Sequence, residues 1–312
     1  MHAGSGGNAQ RTSLEDIVAA VAGVYERLDR QRSIWDVWLH FNHHLGSLAI
    51  EVGRDALSET VLHEFADAAM WLLTFVWKAS QEPAAGAEAE PESLVRLSAT
   101  LSDILWRAFP GVCPACHFRS ETAIEGAPPC TCAPSKPRYF DSEVWFAHSE
   151  ELVMRADSGE DMPGSADAWQ EFFETLFKDR LELRGLAGLV DDALAQAAQV
   201  GDAMIRMYTY VGLEAGHPAG RQRRLEFELA FLVADVLLAL SAISQSSALD
   251  GLTGARGNAH GLVEALQSRY FDAASGTWIC HKCRLPACAC RVQIVPSTLA
   301  ANDVRDQWNA RS

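Results

Sequence analysis

The stretch His63-Glu-Phe-Ala-Asp-Ala-Ala-Met-Trp-Leu-Leu-Thr-Phe-Val-Trp77 is nearly apolar from Phe65 onward, yet carries His63, Glu64 and Asp67 at its start. It has the length of a helix and no period-two alternation, so it predicts a helix from about Ser58 to Ala79. A related segment recurs downstream. Phe65-Ala66-Asp67-Ala68 matches Val233-Ala234-Asp235-Val236, again inside a long apolar helix. Asp67 lies 46 residues before Cys113 and Asp235 lies 45 before Cys280, and this agreement in register points to an internal duplication.

All eight cysteines fall into two groups. Cys113, Cys116, Cys130 and Cys132 form one CxxC…CxC set, and Cys280, Cys283, Cys288 and Cys290 form the other. Two close pairs brought together by a turn place four thiolates at the corners of a tetrahedron, the geometry of structural zinc. Four sulfur ligands leave no open position, so the expected role of each site is a staple and not a reaction centre.

Outward from these anchors, helices are predicted at about 12–32, 33–53, 58–79 and 93–109, with a loop at 81–91. A short helix is predicted near 142–155 and a loop at 157–164. The second series runs at about 166–184, 186–211, 221–246 and 258–271. β-Branched alternating runs are scarce, so the expected fold is all-α. The expected organisation is a flexible tail (1–12), a helical unit with its zinc knuckle (13–135), a connector (136–164), a second, degenerate unit with its knuckle (165–295) and a tail (296–312).

The chain has 312 residues, 48% of them hydrophobic and 21% charged, a globular composition with a formal net charge of -15. Such a surface repels nucleic acid and anionic membrane, although a divalent cation can still mediate nucleotide binding. Lys282, Arg284 and Arg291 beside the second cysteine set are too few for a phosphate-tracking surface. No export signal and no apolar run of about 20 residues is read in the sequence, so a cytoplasmic location without membrane or nucleic-acid partners is expected.

The second predicted helix carries His40, His44, Ser47 and Glu51 at steps of four, three and four, which is one stripe. Packed antiparallel against the Glu64/Asp67 face, this stripe would gather carboxylates and histidines between helices, a known way to hold a divalent metal in a bundle. Oxygen ligands favour magnesium or manganese. The plainer alternative is that Glu51 is a solvated helix end, that Glu64 and Asp67 stabilise a helix N-terminus, and that His40, His43 and His44 are edge residues.

Ile50-Glu51-Val52-Gly53-Arg54, followed by Glu64-Phe65-Ala66-Asp67 and the Cys113–Cys132 knuckle, resembles the MazG-like nucleotide pyrophosphohydrolases. Their EExxE and ExxD elements hold magnesium against a nucleoside triphosphate. The resemblance covers roughly residues 33–132 and, more weakly, the second unit. It implies an all-α, tandem, pseudo-dimeric arrangement in which each unit ends in a four-cysteine zinc knuckle.

It further implies that Glu51, Glu64 and Asp67 bind magnesium and that His44 completes the ligand set or acts as base. Arg54 would contact a phosphate, and a nucleoside triphosphate would be split into monophosphate and pyrophosphate. The match is incomplete: Ile50 and Arg54 stand where the pattern has glutamates. In the second unit either Ala198-Gln199-Val200-Gly201-Asp202 matches the element, with Asp202 at the Arg54 position as its one acid, or Tyr210-Val211-Gly212 pairs with Glu51-Val52-Gly53 and leaves no acid at the Glu51 position. Asp235 alone remains of ExxD, with Glu228 on its face. The second expectation is therefore a pseudoenzyme, a nucleotide-binding or protein-interaction scaffold with a protein partner or a second copy of itself.

Overall fold

The computed structural model describes residues 12–54, 58–81, 95–110, 162–209, 218–245 and 261–290. The first cysteine set, the expected helix near 142–155 and most of both tails lie outside the described residues.

The described residues are mostly helical. The helices are α1 (Leu14–Asp29), α2 (Ile34–Val52), α3 (Glu59–Ser80), α4 (Leu101–Ala108), α5 (Ala166–Leu176), α6 (Lys178–Thr209), α7 (Pro218–Ser244) and α8 (Leu262–Tyr270). A two-stranded antiparallel hairpin follows, β1 (Phe271–Asp272) with β2 (Thr277–Trp278), and pairs Phe271 with Trp278.

The starts of α1 and α2 are written locally. Ser13 and Ser33 each cap a helix and each is answered by an aspartate three residues on, Asp16 and Asp36, so that two orphan backbone donors are satisfied at each end. α4 is shorter than the predicted 93–109 and begins only after its cap, Thr100. The preceding residues serve tertiary contacts instead: the Leu97 N–H donates to the Ala79 carbonyl, and the Ser98 N–H donates to the Glu226 carboxylate.

α2 pairs with α3 and α6 with α7, and α2 also packs on α6. The two short helices that precede the cysteine sets cross over: α4 packs on α7, and α8 packs on α3. Phe109, just after α4, is buried against Phe173, Phe177 and Phe231 of the C-terminal half. Burying a phenylalanine fully is worth about 1.5–3 kcal/mol, so this crossing is a strong tie between halves.

α7 is the described helix that bears on the expected absence of a membrane span. Within Gly220–Ser244 an 18-residue window has a mean hydropathy of 2.0, enough to pass as a membrane span by length and composition. Most of it is buried against the other helices, which accounts for its apolar character all round.

α6 is interrupted at Gly185, whose φ of 59° and ψ of 179° belong to a region open essentially to glycine alone. The predicted boundary between 166–184 and 186–211 falls on this residue. The chain breaks again at Phe177, between α5 and α6.

Candidate functional site

α2 and α3 bring part of the expected acidic set together. His44 Nδ1 lies 2.9 Å from Glu64 Oε2 and 3.8 Å from Asp67 Oδ2. His44 and Glu64 remain partly exposed, whereas Asp67 is buried.

Asp67 is already engaged. Arg269, near the end of α8, donates from Nε to Oδ1 at 2.5 Å and from Nη2 to Oδ2 at 2.6 Å. The Tyr270 hydroxyl donates to the same Oδ1. A bidentate guanidinium plus a phenol meets the needs of a buried carboxylate and occupies the directions from which a cation would approach. Burial, reinforced by the neighbouring Asp67 charge, pushes the Tyr270 hydroxyl far above its usual range, so it stays a donor.

The other expected members disperse. Glu51 pairs with Arg54, whose Nη1 lies 2.6 Å from its Oε1, so Arg54 faces an acid of its own helix end. His40 stacks on Trp71 with ring centroids 4.4 Å apart, and Arg32 lies 4.9 Å from that ring. Burial and Arg32 hold His40 below the ordinary histidine range, which leaves it an uncharged stacking partner. His43 meets only the edge of His44 among the rings.

In the C-terminal half the expected acids do not form one site. Asp202 pairs with Arg206 at 2.7 Å and with Arg224 at 3.3 Å. Glu228 is buried and accepts from Gln196 Nε2 at 2.9 Å. Asp235, also buried, accepts from Arg180 Nη1 at 2.9 Å. Burial, partly offset by Arg180, raises the Asp235 carboxyl to about 7. Arg180 also binds Asp192 at 2.7 Å, and Arg184 binds Asp192 at 2.6 Å across the bend at Gly185.

The second cysteine set does converge. The Sγ atoms of Cys280, Cys283, Cys288 and Cys290 all lie within 4.8 Å of one another. Separations of 3.9, 4.0 and 3.3 Å are close to the edge, about 3.8 Å, of a tetrahedron with metal–sulfur bonds of about 2.3 Å. Backbone hydrogen bonds from Ala289 and Leu285 pull the Cys283 thiol down to about 6, whereas burial pushes the Cys288 thiol up and Cys290 is raised as well. Among the described residues this is the one group of His, Cys, Asp or Glu ligand atoms that could hold a metal ion.

This knuckle is docked on α1. The Cys288 N–H donates to the Val24 carbonyl at 2.8 Å, and Arg27 donates to the carbonyls of Cys288 and Cys290 at 3.3 and 3.1 Å. The Tyr25 hydroxyl lies 3.5 Å from His281 Nδ1.

The sequence reading missed Arg269, Tyr270, Arg180 and Asp192. One signal was present: Arg269-Tyr270-Phe271 before the second cysteine set parallels Arg107-Ala108-Phe109 before the first. Both arginines cross to the other half, since Arg107 Nη1 lies 3.7 Å from the buried Glu226. No family model matches the chain, and neither a curated protein nor a solved structure does.

Proposed function

We propose that this chain is a zinc-stapled, duplicated helical scaffold of the MazG-like kind that does not hydrolyse nucleoside triphosphates. In this reading arginine has taken the place of the divalent cation. The bidentate Asp67–Arg269 pair carries the argument. A magnesium site needs its carboxylates free to turn toward the ion. Here Asp67 would have to give up two charge-assisted hydrogen bonds and a phenol before it could bind one.

Three further observations support the reading. Glu51 is paired with Arg54, Asp235 is paired with Arg180, and isoleucine stands at position 50. The net charge of -15 disfavours a triphosphate that no cation accompanies, which supports a protein ligand over a nucleotide for such a scaffold. Duplication is supported by the matched helix pairs α2/α3 and α6/α7 and by the reciprocal crossing of α4 and α8. Zinc is assigned to the second cysteine set from its sulfur-only donors and tetrahedral spacing.

A second reading is hydrolysis at the first unit with magnesium or manganese. It is favoured by the part-exposed His44–Glu64 pair, which retains a base and a carboxylate beside Asp67. One experiment separates them: pyrophosphate release from ribo- and deoxyribonucleoside triphosphates with magnesium or manganese, by the zinc-loaded chain and by Glu64→Gln. The scaffold reading expects no release from either. Release by the parent that Glu64→Gln abolishes establishes the hydrolase instead.

A further inference from the structure

We propose that the second cysteine knuckle is a metal-held latch: its ion keeps Arg269 and Tyr270 on Asp67, and losing the ion frees Asp67 beside His44 and Glu64. The proposal rests on the reading of Asp67 as a carboxylate neutralised by arginine.

The connection between the two sites is short and continuous. Arg269 and Tyr270 end α8, and the hairpin begins at the next residue. The Ile279 N–H donates to the Tyr270 carbonyl at 2.8 Å, directly before Cys280. Inside the knuckle, the Cys280 N–H donates to the Leu285 carbonyl and the Arg284 N–H to the Cys280 carbonyl, at 2.9 and 2.8 Å. The loop is thereby wrapped around the sulfurs. Its far side is fixed to α1 by Val24 and Arg27. Tyr25 of α1 meets Tyr270 edge to face, with ring centroids 6.3 Å apart. The α8 residues that grip Asp67 are therefore held between α3 on one side and the docked knuckle on the other.

The ion supplies what this arrangement lacks without it. Two of the four cysteines are buried, and thiolates this close repel one another unless a cation sits among them. α8 has only nine residues, too few to remain helical without tertiary support. Loss of the ion thus removes the knuckle's share of the support for the two residues that engage Asp67, leaving the packing of α8 on α3. Binding linkage makes the effect reciprocal: if the knuckle's ion tightens the Asp67 contacts, those contacts tighten the ion to the same degree.

The test is hydrogen exchange of the full chain, read peptide by peptide, during titration with a zinc chelator. Residues 262–270 and the Asp67 segment of α3 should lose protection at the chelator concentration at which residues 280–290 do. In Arg269→Gln, with other helices still protected, that midpoint should fall by about five- to tenfold, the size of an ordinary coupling between sites. Asp202→Asn, on an exposed ion pair, should leave it unchanged.

Tyr270→Phe provides a second arm, expected to move the midpoint in the same direction by less, and stands in if Arg269→Gln does not fold. The latch is overturned if 262–270 keeps its protection after 280–290 has lost it. It is equally overturned if neither substitution moves the midpoint. Pyrophosphate release by the zinc-loaded parent would instead defeat the scaffold reading, and the two failures cannot be confused.

Discussion

Asp67 and Asp235 each lie in a long apolar helix, and both are buried against arginine, but the arginines come from different directions. Asp235 is served from within its own half by Arg180, itself 1% exposed, which reaches from α6 to α7. Asp67 is served by Arg269, from a short helix 202 residues further along the chain. Neutralising a buried carboxylate is obligatory, because a charge left alone in the interior costs several kcal/mol. The source of the neutralising group is free to vary. In the C-terminal half it is fixed by packing; in the N-terminal half it depends on a cysteine knuckle staying folded.

Removing the metal should disturb this contrast most. Structural zinc binds with an apparent free energy of about 10–16 kcal/mol, much of it folding free energy. Chelation should therefore lower the thermal midpoint of the N-terminal half more than that of the C-terminal α6/α7 pair, as read by exchange protection. Equal losses in both halves would erase the distinction. Next comes Arg180→Met, which leaves Asp235 and Asp192 without their shared buried partner and should cost about 3–5 kcal/mol in urea unfolding.

The buried Asp235 also sets a pH dependence. Its folded carboxyl is raised to about 7 from an unfolded value of 3.8, so the folded state holds a proton that the unfolded state releases between those values. Stability should fall as pH rises through that window, by at most about 1.4 kcal/mol per pH unit, and level off above it. Asp235→Asn should flatten the slope; a slope that persists would assign it to another group.

Arg269→Gln should cost less than Arg180→Met, about 1–3 kcal/mol, because Tyr270 still donates to Asp67 and His44 remains nearby. A cost equal to that of Arg180→Met would mean that the two carboxylates are equally closed. The smallest effect belongs to Arg54→Ala, about 0–1 kcal/mol, since the Glu51–Arg54 pair lies at a solvated helix end.

Much of the local structure was legible in the residues themselves. Ser13/Asp16 and Ser33/Asp36 mark helix starts through contacts three residues long, Gly185 marks a backbone bend, and the apolar run after Phe65 marks a core helix. The cysteine spacing gave a four-sulfur site because both pairs lie within eleven residues of chain. The convergence of His44 with Glu64 and Asp67 followed from two helical stripes facing each other. By contrast, α4 falls short of its predicted length because residues 97 and 98 bond to α3 and Glu226, which nothing nearby in sequence announces.

The amino-acid sequence by itself determined the helices, their caps and the ligand chemistry of the cysteine set, since these depend on neighbours a few residues apart. Only the tertiary structure decided which charges meet. The same arginine or aspartate could be solvated, paired or metal-bound, and its place along the chain does not say which. Arg269 reaches Asp67 because α8 crosses onto α3, and that crossing is fixed by burial of apolar surface between distant segments. It sets an arginine against Asp67, where the residues alone suggested a cation ligand.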